Sequence, residues 1–285
     1  MKKIFGELNL TWPKIVIFAI FIGIYTAVVA MIPQLRYTSF ITITATFEVW
    51  VLFGILIIMN SKSNKEAALK CFVFFLISQP IVYLLQDVIK HSHLFQTYYK
   101  YWFIWTILCL PMGYIGYYMK KDKWWGYLIL LPMIILVSYS YYGYFSDFMF
   151  NFPKYILIVI FCAVTMIIYP LAIFNNKKIK ITGLVISIGL IILSTVLNLI
   201  NPPVYETQLF GSNGEHYFDD TYKAYLTDDK YGEIDIKYDE RLEEYFIDAH
   251  FKREGKTSFV IEHPDGEKEE YEIIIKRNTY NIEKK

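Results

Sequence analysis

Seven long apolar runs fill residues 1–201, at roughly 14–33, 40–59, 68–87, 101–119, 124–143, 154–174 and 181–200. Nothing else constrains the chain as strongly. Crossing a hydrocarbon layer ~30 Å thick takes ~20 apolar residues, which each run supplies or approaches. In lipid every backbone N–H and C=O must pair within its own segment, so runs of this kind form helices. They are continuously apolar instead of alternating, which argues against a transmembrane barrel. The expected fold is therefore a polytopic α-helical membrane bundle of seven transmembrane helices.

Charge divides the chain at the same place. Residues 1–201 carry sixteen Lys/Arg against six Asp/Glu, a net +10, whereas residues 202–285 carry twelve against twenty-one, a net −9. The basic body thus joins an acidic, soluble tail. Lys/Arg bias between short loops orients the spans. Lys2, Lys3 and Lys14, then Lys62, Lys65 and Lys70, then Lys120, Lys121 and Lys123, then Lys177, Lys178 and Lys180 flank one side. The alternate loops hold only Arg36, Lys90, Lys100 and Lys154. The N-terminus is expected inside and, after seven crossings, the tail outside the cytoplasm. Trp124 and Trp125, and on the other side Tyr98, Tyr99, Tyr101, Trp102, Tyr139, Tyr141, Tyr142 and Tyr144, fit aromatic belts at headgroup level. Lys2 and Lys3 ahead of an apolar run ending Val28-Val29-Ala30 also fit a signal peptide, but Pro13, Lys14 and the length of the run favour a retained helix. A lysine-rich composition abundant in Ile, Tyr, Phe and Asn points to an AT-rich bacterial genome and so to a bacterial plasma membrane.

Ionisable groups inside such helices are costly and usually face the bundle interior or a cavity. Glu48 is the only acid deep in a run, about 7 residues or ~10 Å from the outer helix end. Thr44 shares its face at i−4. On the next, antiparallel helix Gln79, Tyr83 and Gln86 share a face, and Gln79 is expected at the depth of Glu48. Two readings stay open. Either Glu48 is hydrogen-bonded to Gln79 or Thr44 and simply holds helices together, or it lines an outward-facing cavity for a cation, proton or amine. Ser187, Ser194, Asn198 and Asn201 form a polar stripe on the last helix which, with Gly183 and Gly189, suggests close helix packing.

Enzyme signatures are scarce. All five histidines lie outside the runs, zinc and nucleotide motifs are missing, and Cys71, Cys109 and Cys162 have no metal or disulfide spacing. One outer-side constellation remains, Asp87 with His91 and His93, residue types that ligate transition metals. The sequence leaves open whether a cofactor is bound.

Pro202-Pro203 ends the last helix, and residues 202–220 read as a linker. The period then becomes two. Ile234, Ile236 and Tyr238, then Tyr245, Ile247, Ala249 and Phe251, then Phe259 and Ile261, then Tyr271, Ile273 and Ile275 alternate with polar residues. Pro264-Asp265-Gly266 marks a hairpin turn. Residues 221–285 are expected to form a small all-β extracytoplasmic domain of antiparallel strands. The stretch from Gly255 to Ile275, a Thr-bearing strand, an Asp-Gly turn and an alternating strand, resembles the closing hairpin of bacterial immunoglobulin-like surface domains. That resemblance implies a β-sandwich for spacing or adhesion and brings no catalytic residues with it. The acid pairs Asp219-Asp220 and Asp228-Asp229 lack EF-hand spacing, and the tail's acidity disfavours nucleic acid. The expected role is non-enzymatic envelope sensing, or a subunit of a membrane complex, with residues 221–285 meeting other envelope proteins and the bilayer around the helices. A carrier or channel using Glu48 and Gln79 is the first alternative, and an outer-surface enzyme using Asp87, His91 and His93 the second.

Overall fold

A computed structural model of the chain describes residues 5–35, 38–90, 93–212, 217–240 and 243–285. It divides into two compact units, one of Met1–Tyr144 with Lys154–Val196 and one of Phe145–Pro153 with Leu197–Lys285.

The first unit is helical. Its elements are α1 (Trp12–Met31), α2 (Ser39–Ala45), α3 (Phe47–Met59), α4 (Asn64–Lys90), α5 (Leu94–Gly116), most of α6 (Trp124–Phe150), α7 (Ile156–Ile173) and most of α8 (Lys177–Ile200). Among the described residues five helices, α1, α4, α6, α7 and α8, are long and apolar enough to cross a membrane. The second run, expected as one helix over 40–59, is broken. α2 and α3 meet at Thr46 with a 47° bend and together pass the same test of length and composition. The local chemistry explains the break: in Thr42-Ile-Thr44-Ala-Thr46 each hydroxyl turns back on the chain. Thr42 donates to the Thr38 carbonyl at 3.0 Å, Thr44 to Phe40 at 2.9 Å and Thr46 to Ile43 at 3.5 Å. Such back-bonding, on β-branched residues already poor in helices, bends or ends them. α5 is 23 residues long but is not among the membrane-length apolar helices, because Gln96, Thr97, Tyr98, Tyr99 and Lys100 occupy its first turns.

Helix packing follows small residues and satisfied kinks. At Gly113 on α5, an added Cβ would stand 2.8 Å from the Ala68 Cα of α4, so only glycine permits that approach. Pro170 withdraws an N–H from α7, and the carbonyl one turn back, on Met166, accepts from Ser187 Oγ at 2.8 Å instead. Ser194 pairs with Ser138 at 3.4 Å, and Gly183 lies close against Pro170 and Tyr127. The polar stripe of α8 is thus a packing seam at Ser187, Ser194 and Gly183. Gly189, by contrast, has nothing within 4 Å of an added Cβ.

The second unit is all-β apart from the helix ends it includes. Strand β1 (Tyr205–Gly211) pairs with β4 (Glu244–Phe251), which pairs with β3 (Gly232–Asp239). The other sheet runs β2 (Lys223–Leu226), β5 (Gly255–Glu262), β6 (Lys268–Lys276), β7 (Thr279–Lys284), and every pairing in both sheets is antiparallel. β3 to β6 carry the alternating residues expected of them. The stretch 202–220 is not a plain linker, because β1 lies inside it, with Tyr205 opposite Phe251 and Thr207 opposite Ala249. Its inward face, Tyr205, Thr207 and Leu209, is only weakly apolar and sits between Pro203 and Gly211, so it lacks a strand's usual signature.

Both sheets fill one core. Leu209, Ile234, Ile247, Ala249 and Phe251 from the first meet Phe259, Ile261, Tyr271, Ile273 and Ile275 from the second, with Phe218 between them. This is two sheets packed face to face. Phe150, from the end of α6, is buried in the same core. Arg277, in the two-residue turn between β6 and β7, lies 5.4 Å over its ring and reaches Asp147 at 3.0 Å and Ser146 at 3.2 Å. Gly232 begins β3 at φ +140, where a Cβ would fall 2.1 Å from the His250 carbonyl. That crossing of backbones therefore requires glycine.

Candidate functional site

Glu48 is the second residue of α3 and only 3% exposed. The bend at Thr46 removes it from the helix bearing Thr44, so the two no longer stand one turn apart on a single face. Thr44 is buried and donates to Phe40. The expected bond from Gln79 is not formed either, since the Gln79 Nε2 and the Glu48 Oε2 are both buried without a hydrogen-bond partner. α3 packs against α7, which carries Cys162 and Tyr169 among its buried residues. The Tyr169 hydroxyl is fully buried and likewise unpartnered. Thr165, one turn from each on the same helix face, donates to the Phe161 and Cys162 carbonyls at 2.9 Å. Glu48 on α3 and Cys162, Thr165 and Tyr169 on α7 are thus polar groups of two neighbouring helices. The sequence signal for the second half was a period of three and four, Cys162, Thr165 and Tyr169, inconspicuous because each residue also passes as core.

Two other predicted residues of α4, Gln86 and Tyr83, have local partners. Gln86 is buried and donates to the Val82 carbonyl at 2.9 Å. Tyr83 stacks on Tyr98 with ring centroids 6.3 Å apart.

Of the outer-loop trio, the structure describes Asp87 and His93. Asp87 accepts from the backbone N–H of Leu94 at 2.7 Å and of Phe95 at 2.9 Å, so both oxygens cap α5, a usual task for aspartate at a helix N-terminus. His93 is exposed at that same terminus, and its carbonyl accepts from Thr97. His91 lies outside the described residues.

Two further places gather functional groups. Phe47, Trp50, Trp102, Trp105, Cys71 and Cys109, with neighbours from α6, line an apolar cavity of about 250 Å³ between helices. At the start of α1 a polar pocket of about 640 Å³ includes Lys62, Lys70, Lys120, Glu7 and Glu66. There Lys70, almost wholly buried, pairs with Glu66, donates to the Leu10 carbonyl and lies over the Trp12 ring. Its charge is already matched. In the β unit the hairpin side chains His263, Asp265 and Glu267 could meet at one ion, but Asp265 already accepts the Glu267 N–H at 3.0 Å. The hairpin geometry explains that cluster without a metal. No protein-family model matches the chain, and no curated protein or solved structure is detectably similar to it.

Proposed function

We propose that the chain is a seven-crossing protein of a bacterial plasma membrane, with its N-terminus in the cytoplasm. In this reading its β unit stands outside as a non-enzymatic module that receives an envelope partner. Support for the placement comes from surface chemistry. Ile17, Phe21, Val88, Leu128 and Ile200 are more than half exposed on the apolar helices, an arrangement that water penalises and lipid does not. The bent α2–α3 pair supplies one crossing and α5 another. The polar, aromatic start of α5 falls at the outer headgroup level, and the segment from Trp102 to Gly116 falls in hydrocarbon. Three lysines on each of four alternate flanks set the direction.

The observation that carries the role is the surface of the β unit. It holds exposed tyrosines on an acidic background, Tyr217 at 73% exposure, with Tyr225 on β2 and Tyr238 on β3, both edge strands of their sheets. Tyrosine supplies large contact area at low entropic cost and is enriched at protein interfaces. The net −9 of residues 202–285 selects a basic partner surface. A photo-crosslinking amino acid in place of Tyr217, Tyr225 or Tyr238, in the native host, should give an adduct with one envelope protein. The reading fails if all three positions give none while the protein is inserted and folded.

A further inference from the structure

Protein interiors hold few voids larger than a water molecule, and an unfilled apolar space destabilises a fold in proportion to its volume. The cavity of about 250 Å³ between the helices therefore calls for an occupant. No lysine, arginine, histidine or acid is among its described lining residues. The Cys71 thiol on its wall already donates to the Gly54 carbonyl, at 3.7 Å. Water finds too few partners in such a space, and so does a charged or strongly polar ligand. Gly54 keeps the space open. It lies inside α3 and on the cavity wall, and an added Cβ would meet nothing within 4 Å. Glycine is unfavourable in a helix interior, and no close approach of the kind seen at Gly113 requires it here. On α3 the wall runs from Phe47 to Ile58, eleven residues on, or ~16 Å at the helical rise. α5 runs alongside: the Phe47 ring stands 6.4 Å from Trp102 and 5.2 Å from Trp105, and Ile58 lies against Gly116 at the other end. A volume of about 250 Å³ drawn out over that length is long and thin, so it suits a chain better than a ring system. Met112, Met119 and Met133 add adaptable thioethers to the wall, which reaches the protein's surface at Trp105 and Ile115, each about half exposed.

We propose that this cavity binds one acyl chain of a bilayer phospholipid, lying lengthwise between α3 and α5. The lipid as donor of the chain rests on the membrane placement proposed above, in which Trp102 to Gly116 falls in hydrocarbon. The fit of an apolar chain to the space rests only on its lining and shape.

The test uses the full-length protein in a sterol-glycoside detergent, which offers no alkyl chain to compete. The probe is a phosphatidylcholine with brominated acyl chains, since bromine quenches tryptophan on contact and Trp50, Trp102 and Trp105 line the cavity. Quenching should saturate at about one lipid per protein, as a single pocket requires, and unbrominated lipid should reverse it. Gly54→Leu puts a side chain into the space. It should fold with an unfolding midpoint at or above that of the lipid-free wild type and lose the saturable phase. Gly143→Leu, at a glycine equally free of neighbours but off the cavity wall, should keep it. Brominated stearate is the comparison, and saturation by the fatty acid but not by the phospholipid overturns the lipid as occupant. Quenching that rises without saturation overturns the proposal, as does a Gly54→Leu variant that responds like the wild type. If Gly54→Leu does not fold, Cys109→Phe blocks the same space from α5 and decides between the same outcomes. Because the titration is done in detergent, a failed membrane placement would leave its result intact.

Discussion

Phe150 ends a helix of the apolar runs, yet its ring is only 1% exposed within the β-unit core. Truncating it should therefore unfold strands that begin more than fifty residues later in the chain. A buried Phe→Ala change costs ~3–5 kcal/mol from lost burial and the cavity left behind. That corresponds to a ~10²–10⁴-fold rise in the open population, a large share of the ~5–15 kcal/mol a domain possesses. Arg277→Ala, which removes a one-third-exposed ion pair to Asp147 and the cover over the same ring, should cost only ~1 kcal/mol. The assay is thiol labelling at position 247, where Ile247 is fully buried. It uses a background in which Cys71, Cys109 and Cys162 are replaced, and follows labelling rates across a urea series. Phe152→Ala, at a side chain that is 59% exposed, is the control and should stay near wild type. If Phe150→Ala labels no faster than Phe152→Ala, then Phe150 does not belong to that core and the division of the chain described above is wrong.

Gly113→Ala should lower the unfolding midpoint of the detergent-solubilised protein by several degrees, since its Cβ would meet α4 backbone at 2.8 Å. Gly143→Ala, with nothing within 4 Å, should not. Lys70→Ala removes the cation that holds the Leu10 carbonyl and the Trp12 ring, so hydrogen exchange of residues 5–11 should accelerate while α4 itself stays protected; unchanged exchange there would contradict the anchoring role. Glu269 accepts from Tyr271 and pairs with Lys284 at 3.2 Å, the hydrogen bond foremost, and these hold its carboxyl below the ordinary 4.5. Because the folded value is the lower one, its stabilising contribution is complete above about pH 4.5 and fades as pH falls through the folded value. Acid unfolding of the β unit should accordingly be shallower in Glu269→Gln, and an unaltered acid limb would remove Glu269 from the account.

Length and hydropathy made the helical segments visible in the sequence, because helices long and apolar enough to cross a membrane, such as α6 and α8, stand out by composition alone. Alternation exposed β3 to β6 for a similar reason: each has one face in a shared core. The strands that escaped are those with little inward apolar surface. β7 reads Thr-Tyr-Asn-Ile-Glu-Lys and lies at a sheet edge, β2 is four residues long, and the weakly apolar β1 follows a proline pair. The break at Thr46 was written in three alternate threonines, but hydropathy counts only their mean and so returned one helix. That single omission moved Glu48 from the middle of an expected helix to the first turn of α3. Asp87 illustrates a different limit. Sequence shows which ligands are near one another but not that a carboxylate's oxygens are already occupied by the N–H groups of the following helix.

The central claim is a direction across the membrane, and labelling of single cysteines in intact cells tests it most directly. In the cysteine-replaced background, Tyr217→Cys lies on the exposed surface of the β unit and Lys178→Cys on the exposed flank between α7 and α8. A membrane-impermeant maleimide should label position 217 in intact cells and position 178 only after the membrane is opened. Labelling of position 178 in intact cells, or protection of position 217 until permeabilisation, would contradict the topology on which the interaction role of the β unit depends.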